Sequence, residues 1–213
     1  MNIIMNTAIV IVLALSVPTF AETTTITKGD AAKGKVIATG VCAGCHNVDG
    51  NSVIPTNPSL AGQHAEYITK QLSDFKTVDG TPAKRNNPVM ASMVATLSLE
   101  DMKNLGAYYA QQKAKPGNAA KDEPLMKMGK TIYHGGNLEN GIPACAGCHS
   151  PNGSGIPPHY PNLAGQHAAY TLTQLKAFYN RERLNDGNVM QMIVSRMSGR
   201  EKKAVAEYIS RLR

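Results

Sequence analysis

The chain has 213 residues with no Trp and only three Phe, and its formal charge of +7 is uneven. Residues 22–113 carry nine positive and eight negative side chains, residues 114–213 thirteen and seven. So few aromatics exclude a large self-sufficient core in either half. The charge asymmetry predicts a dipole that can steer a partner toward one end, and no nucleic-acid-binding role is expected.

Residues 1–21 hold no charged side chain, carry an apolar run from Ala8 to Val17 and close on Thr19-Phe20-Ala21. This predicts a cleaved export signal, since the run is too short to span a bilayer and no stop-transfer pattern follows. Asp30 is placed to N-cap a helix running into Cys42, and residues 65–75 and 168–179 space apolar side chains three and four apart. Ser98 with Asp101, and Ser198 with Glu201, read as capping boxes at the start of a last helix, with Leu97 and Met102 as a hydrophobic staple. No stretch alternates with period two, so the expected class is all-α.

The chain is a duplication. Cys42-Ala-Gly-Cys-His46 recurs as Cys145-Ala-Gly-Cys-His149, and Leu60-Ala-Gly-Gln-His64 as Leu163-Ala-Gly-Gln-His167, each displaced by 103 residues. Tyr67 pairs with Tyr170 and Phe75 with Phe178 at the same shift, whereas Ser98 pairs with Ser198, and Tyr108 with Tyr208, at 100. A period this long means two domains. They are expected at 22–113 and 124–213, joined by a Pro- and Gly-containing linker at 114–123.

Four cysteines in an exported chain would ordinarily suggest disulfides, but here they form two close pairs, each followed at once by a histidine. Two thiols three apart can add across the vinyl groups of one heme, and the next histidine can place its imidazole on the iron. A four-thiolate zinc site would have to draw its pairs from separate repeats and leaves the histidines unexplained. Dithiol redox pairs lack the expected βαβ surroundings. Heme would also complete each small core, so the apo chain is expected to fold poorly.

A sixth ligand is sought among ten methionines. Met90 precedes Ser98 by eight residues and Met190 precedes Ser198 by the same eight; Met93 and Met192 compete, but neither has a repeat partner. Thioether ligation favours reduced iron, which suits an electron carrier. His64 and His167 read as partly exposed polar residues, and His134 and His159 as surface-loop residues. Pro58 and Pro161 are placed to brace the chain beside the proximal imidazoles.

These motifs together with Gly135-Gly-Asn, Gly141-Ile-Pro-Ala-Cys145, Pro151-Asn-Gly and Gln166-His-Ala-Ala-Tyr170 resemble the diheme cytochrome c4 family over nearly the whole exported chain. The resemblance implies two tandem class I cytochrome c domains meeting near their heme propionate edges. It implies two covalently bound heme c groups attached at Cys42, Cys45, Cys145 and Cys148. Axial ligation is implied at His46, Met90, His149 and Met190, with the loop Asn188-Val-Met-Gln-Met192 leaving Met190 and Met192 both open. It further implies a periplasmic respiratory carrier, in some members loosely attached to the inner membrane, passing electrons from a quinol-oxidising donor to a terminal oxidase or other acceptor. With His and Met on each iron there is no open site for a substrate, so no enzyme is expected. Two other readings are an electron-transfer subunit of a dehydrogenase, such as flavocytochrome c sulfide dehydrogenase, and a diheme peroxidase. The chain has no Gly-x-Gly-x-x-Gly flavin fingerprint, and matched methionines oppose the peroxidase.

Overall fold

A computed structural model describes residues 28–78, 80–115 and 122–213. The expected export signal and most of the expected linker lie outside the described residues. The first unit begins where the Asp30 carboxylate accepts from the backbone N–H groups of Ala32 at 2.8 Å and Lys33 at 3.2 Å. That N-cap opens α1 (Ala31–Ile37), which widens into a π-helical stretch (Ala38–Cys42) and runs straight into α2 (Ala43–His46). Then come α3 (Ala65–Asp74), α4 (Pro88–Val94) and α5 (Leu99–Ala110). The second unit repeats the order as α6 (Glu123–Gly135), α7 (Ala146–His149), α8 (Ala168–Tyr179), α9 (Val189–Val194) and α10 (Gly199–Ile209). Both capping boxes form, and among the described residues the only β features are isolated bridges.

In each unit the first helix crosses the last at a glycine. A Cβ on Gly34 would stand 2.0 Å from the Asn104 carbonyl oxygen, and one on Gly129 would stand 2.1 Å from that of Ala204. Gly34 lies eight residues before Cys42, but Gly129 lies sixteen before Cys145. The second unit therefore spends residues 136–144 on a loop where the first has only its π-helical stretch. The cores are apolar and small: Val94, Leu105 and Tyr109 are all but sealed in the first unit, and Tyr133, Ile142 and Val194 in the second.

The two units pack through a pseudo-two-fold seam built by the repeated Leu-Ala-Gly-Gln segments. Gln63 donates to the Asn162 carbonyl at 2.8 Å and accepts from its N–H at 2.9 Å. Gln166 does the same to Ser59, at 2.9 Å in both directions. Below this pair, Arg85 and Arg183 form an antiparallel bridge through their backbones, each guanidinium stacking on a phenylalanine of its own unit, Phe75 at 4.4 Å and Phe178 at 4.6 Å. Arg85 donates to Tyr170 at 2.9 Å and Arg183 to Tyr67 at 2.8 Å, so each reaches the other unit's tyrosine. Burial alone would raise the Tyr170 phenol, but the two guanidiniums outweigh it and pull the phenol below its ordinary range.

Candidate heme-binding sites

Each Cys-x-x-Cys-His segment ends in a four-residue helix, α2 or α7, so the second cysteine and the histidine lie on one short turn. The chain then reverses through a residue of positive φ, Asn47 at 58° or Ser150 at 68°. Tyrosine hydroxyls hold the reversal: Tyr108 donates to the Val48 carbonyl at 2.8 Å, and Tyr133 to that of Ser150 at 2.8 Å. All four thiols are free of disulfides. Burial raises the Cys42 thiol and pushes Cys145 up to about 11, so both are neutral S–H groups.

The two imidazoles have the same setting. His46 is 8 % exposed and its Nδ1 lies 2.9 Å from the Pro58 carbonyl oxygen; His149 is 8 % exposed and its Nδ1 lies 3.1 Å from that of Pro161. An Nδ1–H donated to a backbone carbonyl fixes the tautomer and leaves Nε2 as the nitrogen with a free lone pair. Burial pulls both imidazoles below the ordinary histidine range and the carbonyl bond only partly opposes it, so both are neutral, as a metal ligand must be. The brace expected at the two prolines is thus a single atom, the carbonyl oxygen.

Met90 and Met190 sit on short helices, α4 and α9, that the periodicity of the sequence did not announce. Asn87 caps α4 by accepting the Met90 N–H at 3.0 Å; in the second unit Asp186 accepts the Met190 N–H at 2.5 Å. Both methionines pack against buried apolar clusters. Their competitors face outward, Met93 at 45 % and Met192 at 59 % exposure.

The other histidines are placed differently from one another. His64 and His167 stand at the N-termini of α3 and α8, half-buried, and the His167 ring reaches across the seam to the Ser52 carbonyl at 2.8 Å. His159 is an exposed turn residue. His134 was expected in a loop but lies in the last turn of α6, 2.8 Å from the Tyr208 hydroxyl. The spacing from Gly129 to the second motif, eight residues longer than that from Gly34 to the first, hid that helix's equivalence to α1. Sequence reasoning also passed over Arg85 and Arg183, which fall ten residues after Phe75 but five after Phe178 and so are out of register.

Comparison with known proteins matches this architecture unit by unit. The Cytochrome c family model fits residues 31–113 and again residues 126–213. A cytochrome c4 of Azotobacter vinelandii is 44% identical over 191 residues, covering 86% of this chain and 90% of that one. The crystal structure of reduced recombinant cytochrome c4 from Pseudomonas stutzeri superposes with a TM-score of 0.80 at 40% identity, covering 87% of this chain and all of the other. The chain belongs to the cytochrome c4 family. It is accordingly a diheme electron-transfer cytochrome with two covalently bound heme c groups, a carrier rather than an enzyme. A further relative is a "thiosulfate dehydrogenase electron acceptor" of Stutzerimonas stutzeri (strain A1501), 38% identical over 173 residues, 79% of this chain and 77% of that one. The donor set fits the c4 cofactor in each unit: two free thiols, a neutral buried imidazole with its Nε2 unclaimed, and a core-facing thioether. Among the described residues no cluster of three or more His, Cys, Asp or Glu side chains could hold a metal ion. Among them, too, no helix is long and apolar enough to cross a membrane.

Proposed function

We propose that the chain is an exported periplasmic carrier with domains at 22–113 and 124–213, released by cleavage after residue 21. Cys42 and Cys45 hold one heme and Cys145 and Cys148 the other through thioethers; His46 with Met90, and His149 with Met190, are the axial ligands. The observation that carries this assignment is the matched imidazole geometry, with each Nδ1 bound to a proline carbonyl twelve residues on. Heme supplies an iron that gains and loses one electron. The chain's own residues do the rest. The carbonyl bond orients each imidazole and increases its basicity. The Met90 and Met190 sulfurs favour the reduced state and raise the potential. With an imidazole and a thioether of the chain held for each heme iron, no place would be left for a small substrate, and the chemistry supplied would be outer-sphere electron transfer. The reciprocal glutamine and arginine bonds of the seam fix one unit against the other, so the two centres work at a constant separation.

The donor we assign is a quinol-oxidising complex and the acceptor a terminal oxidase, with peripheral attachment to the inner membrane as the setting. A second reading, acceptor for a dehydrogenase of sulfur compounds, is favoured by the relative named as an electron acceptor of thiosulfate dehydrogenase. The two separate by mixing. The oxidised protein is incubated either with membranes and a quinol or with thiosulfate dehydrogenase and thiosulfate, and heme reduction is followed optically. Fast reduction in the first mixture and reoxidation by oxidase-containing membranes support the respiratory role. Reduction in the second mixture alone would replace it.

A further inference from the structure

Duplication makes each unit a control for the other, and one charged group occupies the same place in space from different places in sequence. In the first unit the Lys76 ammonium donates to the Leu97 carbonyl at 2.6 Å. In the second, Lys202 donates to the Met197 carbonyl at 2.5 Å. Leu97 and Met197 are repeat equivalents, each immediately before the capping serine of the last helix. The lysines are not equivalents. On the repeat alignment Lys76 matches Tyr179, and Lys202 matches Met102. One ammonium arrives from the end of α3 and the other from the first turn of α10.

The surroundings have adjusted to this exchange. Tyr179 lies under the Lys202 ammonium, 4.0 Å from ring centre to nitrogen. Met102 instead fills the core beside Phe75 and Val94, and its sulfur takes the Ser73 hydroxyl at 3.3 Å. Each lysine also faces the capping-box carboxylate. Hydrogen bonds from Ser98, and secondarily Lys76, hold Asp101 low; against burial, bonds from Asn137 and Ser198, and secondarily Lys202, do so for Glu201. Lys202 is only 5 % exposed, an uncommon burial for an ammonium without a purpose.

The residue whose carbonyl each lysine seeks also closes the turn that follows the methionine helix: the Leu97 N–H donates to the Val94 carbonyl and the Met197 N–H to that of Val194, at 3.1 and 3.2 Å. That carbonyl lies three residues beyond the helix, between it and the capping serine of the next, and the lysine gives it a charge-assisted donor that ties down the turn. The geometry points to Lys76 and Lys202 as positioning residues for the axial methionines, each clamping the end of the ligand helix so that the Met90 or Met190 sulfur stays on its iron. This rests on the assignment of Met90 and Met190 above.

The test uses the holoprotein and three variants: Lys202→Met, the double variant Tyr179→Lys with Lys202→Met, which imports the first unit's arrangement, and Met190→Ala as reference. Imidazole is titrated into the ferric protein while the methionine-to-iron charge-transfer absorption is followed. Losing one charge-assisted bond should let imidazole displace the second unit's methionine at roughly tenfold lower concentration. The double variant should return to the parent value, and the first heme should not change in either. Lys202→Met binding imidazole like the parent, or a double variant that fails to recover, overturns the inference while the ligand assignment stands, provided Met190→Ala abolishes one heme's absorption. Met190→Ala retaining that absorption overturns both. Should Lys202→Met lose its heme, Lys76→Met applies the same comparison to the first unit.

Discussion

Replacing Arg183 with Met tests the seam most sharply. The guanidinium donates to Asn185 Oδ1 at 3.0 Å, Gln174 Oε1 at 2.9 Å, Tyr67 OH at 2.8 Å and Gln71 Oε1 at 3.0 Å. Without it, Gln71 Oε1 still accepts from Arg85 and Asn185, and Gln174 Oε1 from Arg85. The Tyr67 hydroxyl and Asn185 Oδ1 lose their donor. The two groups left without this donor, the buried Asn185 Oδ1 and the part-buried Tyr67 hydroxyl, cost about 1–3 kcal/mol each, and the lost stacking on Phe178 adds about 1 kcal/mol. Methionine relieves the desolvation of the buried charge, so a net loss near the low end, about 3 kcal/mol, is expected. Arg85→Met takes one donor from the Tyr170 hydroxyl, which keeps the Arg183 guanidinium beside it, and its glutamine partners also keep Arg183, so it should cost less. Guanidinium chloride unfolding of the holoprotein, followed by circular dichroism and heme absorbance, reads both values. An Arg183→Met protein within about 0.5 kcal/mol of the parent, or an Arg85→Met protein less stable than it, would refute this account of the seam.

Three methionine variants check the axial assignment. Met90→Ala and Met190→Ala should each keep both hemes covalently attached, abolish one heme's charge-transfer absorption and lower one potential, while Met192→Ala should do none of this. The reverse pattern at 190 and 192 would transfer the ligand to the outer residue. Glu201 gives a pH prediction. Burial opposes its charge, but hydrogen bonds from Asn137 and Ser198 prevail and hold the carboxylate below its ordinary range. A carboxyl whose folded pKa is depressed contributes stability that is complete above the unfolded value, about 4.5, and is lost as pH falls through the lower folded one. Acid unfolding of Glu201→Gln should therefore be flatter below about pH 4.5 than that of the parent. Identical acid limbs would count against the assignment.

Much of the site was legible because its chemistry demands short, fixed spacing. Cys42, Cys45 and His46 must share one turn, as must Cys145, Cys148 and His149, so their pattern survives in sequence. The same holds for Ser98 with Asp101 and Ser198 with Glu201, where one helical turn sets the offset. What was not legible is held by long-range partners. Arg85 and Arg183 meet across the seam from loops of unequal length, and Lys76 and Lys202 reach matching carbonyls from unmatched positions. The glutamines of the two Leu-Ala-Gly-Gln segments were visible as a repeat, but their partners, the backbones of Asn162 and Ser59, belong to the other unit. Helix α6 escaped because an eight-residue difference in spacing broke the register just upstream of the second motif.

The most direct test of the central claim is an optically monitored redox titration of the purified holoprotein, with carbon monoxide added to the reduced form at its end. Two hemes each taking up one electron, both low-spin, both losing a methionine charge-transfer absorption on reduction and neither binding carbon monoxide, is the result expected of a carrier ligated by His46, Met90, His149 and Met190. A single heme, or one heme that binds carbon monoxide under these conditions, would contradict it.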